Sequence, residues 1–290
     1  MVSIPLSVEH PDYALLAPIA LALVRHAGDQ AAFSVEVPAL FRQAIDEVID
    51  APRTNRFTLD ETEKTEKTYL GTKIEILLRN HLKLGKGNIL DLSVDGYEVD
   101  IKNTMGINWT IPLESYGHPA LLIRVSERKA LCDVGLIVVK DQYLNRGANR
   151  DSKRSIAAAA MTNIWWLLRS HPYPPNFWEI LPVADRQAIL SAGGGTARIA
   201  SLFEKIQQSP ISRIQVQALA QQHDYMKRIR RNGGARDVLA PKGIALLWGQ
   251  RDRSLIQQLG LGPVTRDQFI SFKPLTLDQI DLLRKARHID

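Results

Sequence analysis

The sequence predicts an α/β domain followed by a smaller, mainly helical domain, and three observations support this order. Asp95-Gly96 separates two runs of alternating apolar and polar residues, which is typical of a β-hairpin with a type I′ turn. Three consecutive glycines, residues 193–195, would weaken the interior of any helix or strand. The charge balance changes sign near the same point. We therefore expect domains over residues 1–192 and 193–290.

Composition excludes several classes of protein. The chain is 45% hydrophobic and 23% charged, as is usual for a folded globular protein. Cys132 is the only cysteine, so a disulfide framework and a cysteine-based zinc site are both excluded. Residues 1–10 lack the basic start of a signal peptide, and the apolar run 14–24 is too short to span a bilayer. We expect a cytoplasmic protein without a membrane partner.

Hydrophobic periodicity predicts the elements of the first domain. Helices are expected over residues 11–26, 39–49 and 66–81, strands at the hairpin and over 120–125 and 134–139, and a last helix over the alanine-rich segment 155–168. Trp165, Trp166 and Trp178 are predicted to be core residues. Helices around one sheet would form a layered α/β arrangement.

The second domain carries the excess positive charge. From residue 196 onwards there are 16 Lys and Arg against 8 Asp and Glu, whereas the preceding residues hold 21 against 23. Helices are expected over 197–207, 212–222 and 225–231, and a strand over 243–248. This is the order of a winged-helix domain, in which the third helix enters the major groove of DNA. A helical bundle with a basic, solvated face would have a similar pattern.

The hairpin places chemistry on one face. A two-residue turn at Asp95-Gly96 pairs positions whose numbers sum to 191, so Asp91 faces Asp100 with Cβ atoms about 5 Å apart. Lys102 projects from the same face as Asp100. Apolar side chains fill the opposite face. Two carboxylates that face each other destabilise a hairpin unless a cation lies between them, so we expect a divalent metal ion there.

The spacing of these residues fits the Asp–(x)n–(Asp/Glu)–x–Lys pattern of metal-dependent nucleases. Asp91 and Asp100 would bind Mg²⁺, with the Ile101 carbonyl as a further ligand and Mn²⁺ able to substitute. Lys102 would orient or deprotonate the attacking water. Glu75, on the preceding helix, is a candidate fourth acidic group. The alternative interpretation is a solvated strand and an ordinary, partly exposed glutamate.

A wider pattern covers residues 58–60, Lys64 to Glu75 and Leu90 to Lys102, and it continues through Leu144 to Arg154. In these segments the sequence resembles the NaeI family of type II restriction endonucleases. The resemblance implies a PD-(D/E)xK nuclease domain with Glu75, Asp91, Asp100 and Lys102 in its active site. It also implies a winged-helix-like C-terminal domain, a homodimer and Mg²⁺-dependent cleavage of double-stranded DNA at a short palindrome, in a prokaryotic-type cytoplasm.

Two groups of polar residues are predicted to contact DNA. Arginine suits guanine and asparagine suits adenine, so a loop of the first domain could read bases. Adjacent cations on a helix of the second domain would hold phosphates instead. The predicted residues are Arg146, Asn149, Arg150, Lys153, Arg154, Arg213, Lys227, Arg228, Arg230, Arg231 and Lys242.

The sequence thus predicts a sequence-specific, Mg²⁺-dependent DNA endonuclease. Three alternatives remain open at this point: an enzyme that cuts only methylated DNA, a repair or Holliday-junction nuclease, and a non-catalytic winged-helix DNA-binding regulator whose acidic hairpin is structural.

Overall fold

The computed structural model describes residues 3–222 and 224–290, and the chain divides into two compact units. Unit 1 comprises Met1–Ala44 and Glu63–Pro175; unit 2 comprises Ile45–Thr62 and Asn176–Asp290. The division after Pro175 differs from the expected boundary at residue 193. Among the described residues, no helix has both the length and the apolar character needed to cross a membrane.

The triple glycine serves helix packing inside unit 2. Gly195 opens a helix whose backbone approaches that of Ala220 so closely that a Cβ at position 195 would overlap the Ala220 carbonyl. The sequence analysis interpreted these glycines as a linker. In the structure, Gly195 instead allows two backbone segments to approach closely.

Helices cover the first part of the chain. They are α1 (Tyr13–His26), α2 (Gln30–Ile49), α3 (Ala51–Thr54) and α4 (Lys64–His81). The predicted apolar stripe of α4 is confirmed, since Leu70, Ile74 and Leu78 are buried. Helix α2 begins nine residues before the expected start at 39, because Pro38 lies inside the helix rather than ahead of it.

The strands of unit 1 form two sheets. Their bounds are β1 (Gly85–Lys86), β2 (Leu92–Val94), β3 (Tyr97–Thr104), β4 (Thr110–Ile111), β5 (Pro119–Ser126), β6 (Leu131–Val138), β7 (Leu144–Ala148), β8 (Arg154–Ile156) and β9 (Trp165–Pro172). The larger sheet has the order β1-β2-β3-β5-β6-β9, and the smaller has the order β4-β8-β7. Within the larger sheet β3 and β5 are parallel and the other pairs are antiparallel.

The helix predicted over 155–168 is wrong. Residues Ala158–Asn163 form a 3-10 turn and Trp165–Pro172 form strand β9, which pairs with β6. Four consecutive residues from Trp165 are buried, so both faces of the strand are covered. Gly135 of β6 leaves the space that Trp166 fills, because a Cβ there would overlap the indole ring. A contact remote in sequence thus overrides the helical preference of the alanines.

Unit 2 combines short helices with a small sheet. Its further elements are α5 (Phe177–Ile180), α6 (Val183–Ser191), α7 (Gly195–Lys205), β10 (Ile211–Ser212), α8 (Arg213–Ala220), α9 (Met226–Ile229), α10 (Ala235–Leu239), β11 (Ala245–Trp248), α11 (Arg253–Gln258), β12 (Gln268–Phe272) and α12 (Leu277–Lys285). The strand order is β10-β12-β11, with antiparallel pairing. The third helix, expected to reach residue 231, ends at Ile229.

Candidate active site

Strands β2 and β3 form the predicted hairpin in the predicted register. Leu92 pairs with Val99, so the paired numbers sum to 191. Asp95 and Gly96 have φ angles of 50° and 90°, the two positive values that a type I′ turn requires. Leu92 and Val99 are fully buried on the apolar face. The turn residues and the alternation therefore fix which side chains share the opposite face.

The register brings the Asp91 and Asp100 carboxyl groups together. Their side chains share a hydrogen bond, and Asp91 Oδ2 also accepts from the Ile101 backbone N–H at 2.8 Å. Asp100 is only 4% exposed. The parallel pairing of Asp100 with Ala120 places it beside a covered strand, β5, which accounts for this burial.

Two further groups hold the Asp100 carboxylate. Lys102 Nζ donates to Asp100 Oδ1 at 2.8 Å, and the Ser115 hydroxyl donates to Oδ2. Ser115 is fully buried in a 3-10 turn between β4 and β5. Sequence reasoning missed Ser115. The crossover from β3 to β5 carries it to Asp100, and nothing in the local pattern around residue 115 indicates this contact.

The two carboxyl groups titrate differently. Burial raises the pKa of Asp91 to about 6, and its hydrogen bond with Asp100 and the charges of Asp100 and Glu75 act in the same direction. Burial would also raise the pKa of Asp100, but hydrogen bonds from Asp91, Lys102 and Ser115 outweigh it and hold that pKa below its usual range. Asp100 is therefore the ionised member of the pair, and the crowded negative charge raises the pKa of Asp91 instead.

Glu75 lies in α4, which packs on β3. Asn103 Nδ2 donates to the Gly71 carbonyl at 3.2 Å and joins the two elements. The Glu75 carboxylate accepts from Arg79 Nη1 at 3.2 Å, and its charge reaches Asp91. Glu75 is therefore paired with Arg79. Its charge acts on Asp91, but no hydrogen bond links it to the carboxylates of the hairpin among the described residues.

A further carboxylate, that of Glu98, fixes the loop that precedes Asp91. Glu98 accepts the backbone N–H groups of Asn88, Ile89 and Leu90 at 2.8, 3.2 and 2.9 Å. These bonds hold the pKa of Glu98 below its usual range. Gly87 completes the turn, since a Cβ there would overlap Leu90 and Glu98. The sequence analysis did not predict this clamp. The signal that could have indicated it is a carboxylate in β3 opposite a loop that contains a glycine.

The oxygen donors of this site fit a hard divalent cation. Asp91 and Asp100 supply carboxylate oxygens, which such cations prefer, and the raised pKa of Asp91 indicates that Lys102 alone does not offset the negative charge. Within residues 3–222 and 224–290, no group of three or more His, Cys, Asp or Glu lies close enough to hold a metal ion. A third ligand from the protein would therefore be a backbone oxygen, as predicted for Ile101.

The predicted DNA-contacting loop is the β7–β8 hairpin. Arg154 anchors its base: Nε donates to the Asn145 carbonyl at 2.6 Å and Nη1 donates to the Asp141 carboxylate. Asn149 Oδ1 accepts from the Asp151 and Lys153 backbone N–H groups and shapes the tip. The side chains of Arg146 and Arg150 are exposed. Two of the five predicted residues in this loop thus already support its shape.

The predicted cations of unit 2 are spread over several elements. Arg213 is at the start of α8, Lys227 and Arg228 lie in α9, Arg230 and Arg231 follow it, and Lys242 precedes β11. Several pair with neighbouring acids, such as Lys242 with Glu204 at 2.6 Å and Arg230 with Asp224 at 3.6 Å. Exposed pairs of this kind contribute at most about 1 kcal/mol, so a phosphate could replace the acid.

The sequence matches a known family over most of its length. The model of the restriction endonuclease NaeI family matches residues 26–279. The type II restriction enzyme NaeI of Lentzea aerocolonigenes is 34% identical over 256 residues, which cover 85% of this chain and 80% of that enzyme. The matched segment includes the whole acidic hairpin, α4 and unit 2 as far as α12. The chain therefore belongs to the NaeI family of type II restriction endonucleases.

Proposed function

We propose that this protein, a sequence-specific DNA endonuclease by its family, hydrolyses phosphodiester bonds of double-stranded DNA at the hairpin of β2 and β3. The observation that supports this site most directly is the contact of Asp91 and Asp100 beside the Lys102 ammonium group. Two carboxylates and one ammonium on one face provide a cation site next to a proton donor. These are the groups that a metal-assisted attack by water requires.

Asp91, Asp100 and the Ile101 carbonyl would hold Mg²⁺, and Glu75, which is paired with Arg79, would add its negative charge near the ion. When bound, the ion would polarise the scissile phosphate and lower the pKa of a water molecule. Mn²⁺ prefers similar oxygen ligands and would substitute.

The chain's own residues prepare this site. Ser115 and Lys102 keep Asp100 ionised, while the Ile101 N–H fixes one oxygen of Asp91. Lys102 Nζ lies 2.7 Å from Asp100 Oδ2, where it can orient the attacking water and offset the charge that develops on the phosphate. The Glu98 clamp fixes the residues that precede Asp91, which lies immediately before β2.

Unit 1 would also contact the substrate through the β7–β8 hairpin. Arg146, Arg150 and Lys153 would reach DNA, while Asn149 shapes the tip of this hairpin and Arg154 anchors its base. A palindromic site has twofold symmetry, so two copies of the chain would each cut one strand. We therefore propose a homodimer, acting in the cytoplasm where foreign DNA would be met.

Unit 2 would act as a winged-helix DNA-binding domain. The succession α7, β10, α8, α9–α10, β11 and β12 supports this, as does the strand order β10-β12-β11. Arg213, Lys227, Arg228 and Lys242 would contact phosphates, and Arg230 and Arg231 would do so beyond the end of α9. The short α9 offers two of these cations rather than a continuous basic helix.

Plasmid digestion tests the proposal. Incubation of the protein with a sequenced plasmid and Mg²⁺ should give discrete fragments whose ends all map to one short palindrome, and EDTA should abolish them. Binding to DNA without any Mg²⁺-dependent break would instead identify a non-catalytic regulator. Fragment ends scattered over unrelated sequences would contradict site-specific cleavage.

A further inference from the structure

A basic pocket in unit 2 is not used by the proposed cleavage reaction. It has a volume of about 890 Å³, within the range of about 300–1,000 Å³ that is usual for small-ligand sites. Exposed cationic side chains surround it: Arg230, Arg231, Arg251, Lys285 and Arg287. Of the described residues that line it, Asp252 is the only acidic one. The pocket therefore has a strong excess of positive charge.

The single carboxylate is already fully engaged. Asp252 Oδ2 accepts from the Trp248 backbone N–H at 2.8 Å and from Arg236 Nη2 at 3.2 Å. Its Oδ1 accepts from Arg251 Nε at 3.0 Å and lies 3.5 Å from His288 Nε2. One negative charge thus serves three cationic or titratable partners, and of the exposed cations around the pocket only Arg251 is paired with it among the described residues.

Arg236 is the group that points to a ligand. It lines the pocket, is only 9% exposed, and donates to Asp252 through Nη2. Its Nε is buried and has no hydrogen-bond partner among the described residues. A buried guanidinium donor is costly to leave unpaired, so an acceptor at this position would be strongly favoured.

The chemistry of the lining favours a phosphate group. Guanidinium forks match phosphate oxygens in geometry, and a dianion would balance more of the charge than a carboxylate. The burial of Arg236 favours a terminal phosphate over one within a duplex, because a phosphodiester is a monoanion esterified to two sugars. A terminal phosphate monoester is narrower and carries a second charge at neutral pH.

We propose that this pocket binds a phosphate monoester dianion, carried either by a free nucleotide or by the 5′ end of a DNA strand. Arg236 contacts the phosphate at the buried end of the pocket, and the exposed cations contact the rest of the ligand. Arg230 and Arg231 were predicted to contact DNA phosphates in general, and here they would contact a terminal phosphate. The pocket belongs to unit 2, whereas the acidic hairpin belongs to unit 1.

Calorimetric titration of the full chain in EDTA tests the proposal, since EDTA removes any divalent ion that could recruit phosphate to the hairpin. Four probes are used: dTMP, thymidine, the 5′-phosphorylated dinucleotide pTpT and its 5′-hydroxyl counterpart TpT. Each phosphorylated probe is compared with its hydroxyl partner. Binding of both phosphorylated probes, at least about tenfold tighter than their partners, indicates a free-nucleotide site. Binding of pTpT alone indicates a DNA-end site.

Variants locate the binding. Arg236→Gln should remove the preference for the phosphorylated probe. Arg251→Gln should weaken that preference, and because Arg251 is exposed this variant keeps the test valid if Arg236→Gln does not fold. Lys273→Gln, an exposed change in unit 2 outside the pocket, should leave it intact. Equal binding of phosphorylated and hydroxyl probes, no binding of any probe, or unchanged binding by both arginine variants would overturn the proposal.

Discussion

The hairpin of unit 1 and the basic pocket of unit 2 are each built around a buried aspartate. Asp100 lies beside Asp91, which also feels the Glu75 charge, and Lys102 is the ammonium partner of Asp100. Asp252 lies beside Arg236, Arg251 and His288. Hydrogen bonds hold the pKa of both carboxyl groups below the usual range against burial. The same residue type therefore serves opposite purposes, because the neighbours leave an excess of negative charge in one place and of positive charge in the other.

Removing the ammonium group from the hairpin should strongly slow cleavage. Lys102→Met preserves the length of the side chain but deletes the charge that faces Asp100. We expect kcat for plasmid cleavage to fall by about 10²–10³-fold, as is usual when a transition-state donor is lost. Lys86→Met, an exposed change in β1 of the same sheet, is the matched control. Equal activity of the two variants would remove Lys102 from the reaction.

Neutralising the pocket carboxylate should instead destabilise the fold. Asp252→Asn leaves Arg236 buried without a counter-charge, and breaking a buried pair costs about 3–5 kcal/mol. Urea denaturation should report this loss in the free energy of unfolding. Asp267→Asn, at a carboxylate that is 57% exposed, should change it by less than about 0.5 kcal/mol. Similar stability of the two variants would show that Asp252 does not offset the buried arginine.

Acidification should stabilise unit 1 when no metal is present. The pKa of Asp91 is raised from 3.8 to about 6, so the folded state binds this proton more tightly than the unfolded state does. This contribution to stability is complete below pH 3.8 and is lost as the pH rises through about 6. In EDTA, Asp91→Asn should therefore melt at a higher temperature than the wild type at pH 7.5, with a smaller advantage at pH 5.

The control for this titration is Glu114→Gln, which removes one exposed negative charge from the same unit. Its melting temperature should follow that of the wild type at both pH values. An Asp91→Asn variant that is less stable than the wild type at pH 7.5 would contradict the crowding of negative charge at the hairpin.

The smallest effect is expected at the exposed cations of unit 2. Lys227→Gln should weaken duplex binding and reduce the slope of log K against log salt by about 0.9, the value for one phosphate contact. Lys273→Gln should leave the slope unchanged. An unchanged slope for Lys227→Gln would exclude α9 from the DNA interface.

The hairpin could be predicted because its signals are local. The turn residues Asp95 and Gly96 and the alternation of apolar residues fix the register, and the register brings Asp91 and Asp100 together. Helix α4 was predicted for the same reason, since its apolar stripe follows one helical period. These parts of the fold depend on residues within a few positions of one another.

The errors and omissions depend on distant contacts. Trp165 to Leu168 form a strand because β6 provides a partner and Gly135 provides space, and neither is visible in the alanine-rich segment itself. Ser115 reaches Asp100 only through the crossover between β3 and β5.

The most direct test of the account is cleavage by Asp100→Asn, measured with DNA binding on the same preparation. The variant keeps the shape of the side chain but removes the charge that Lys102 and Ser115 hold. With Mg²⁺, cleavage of a plasmid should fall at least about 1,000-fold, while duplex binding in Ca²⁺ stays close to that of the wild type. Asp95→Asn, in the turn of the same hairpin, should cut normally. Cleavage by Asp100→Asn at a rate near that of the wild type would contradict the assignment of the active site.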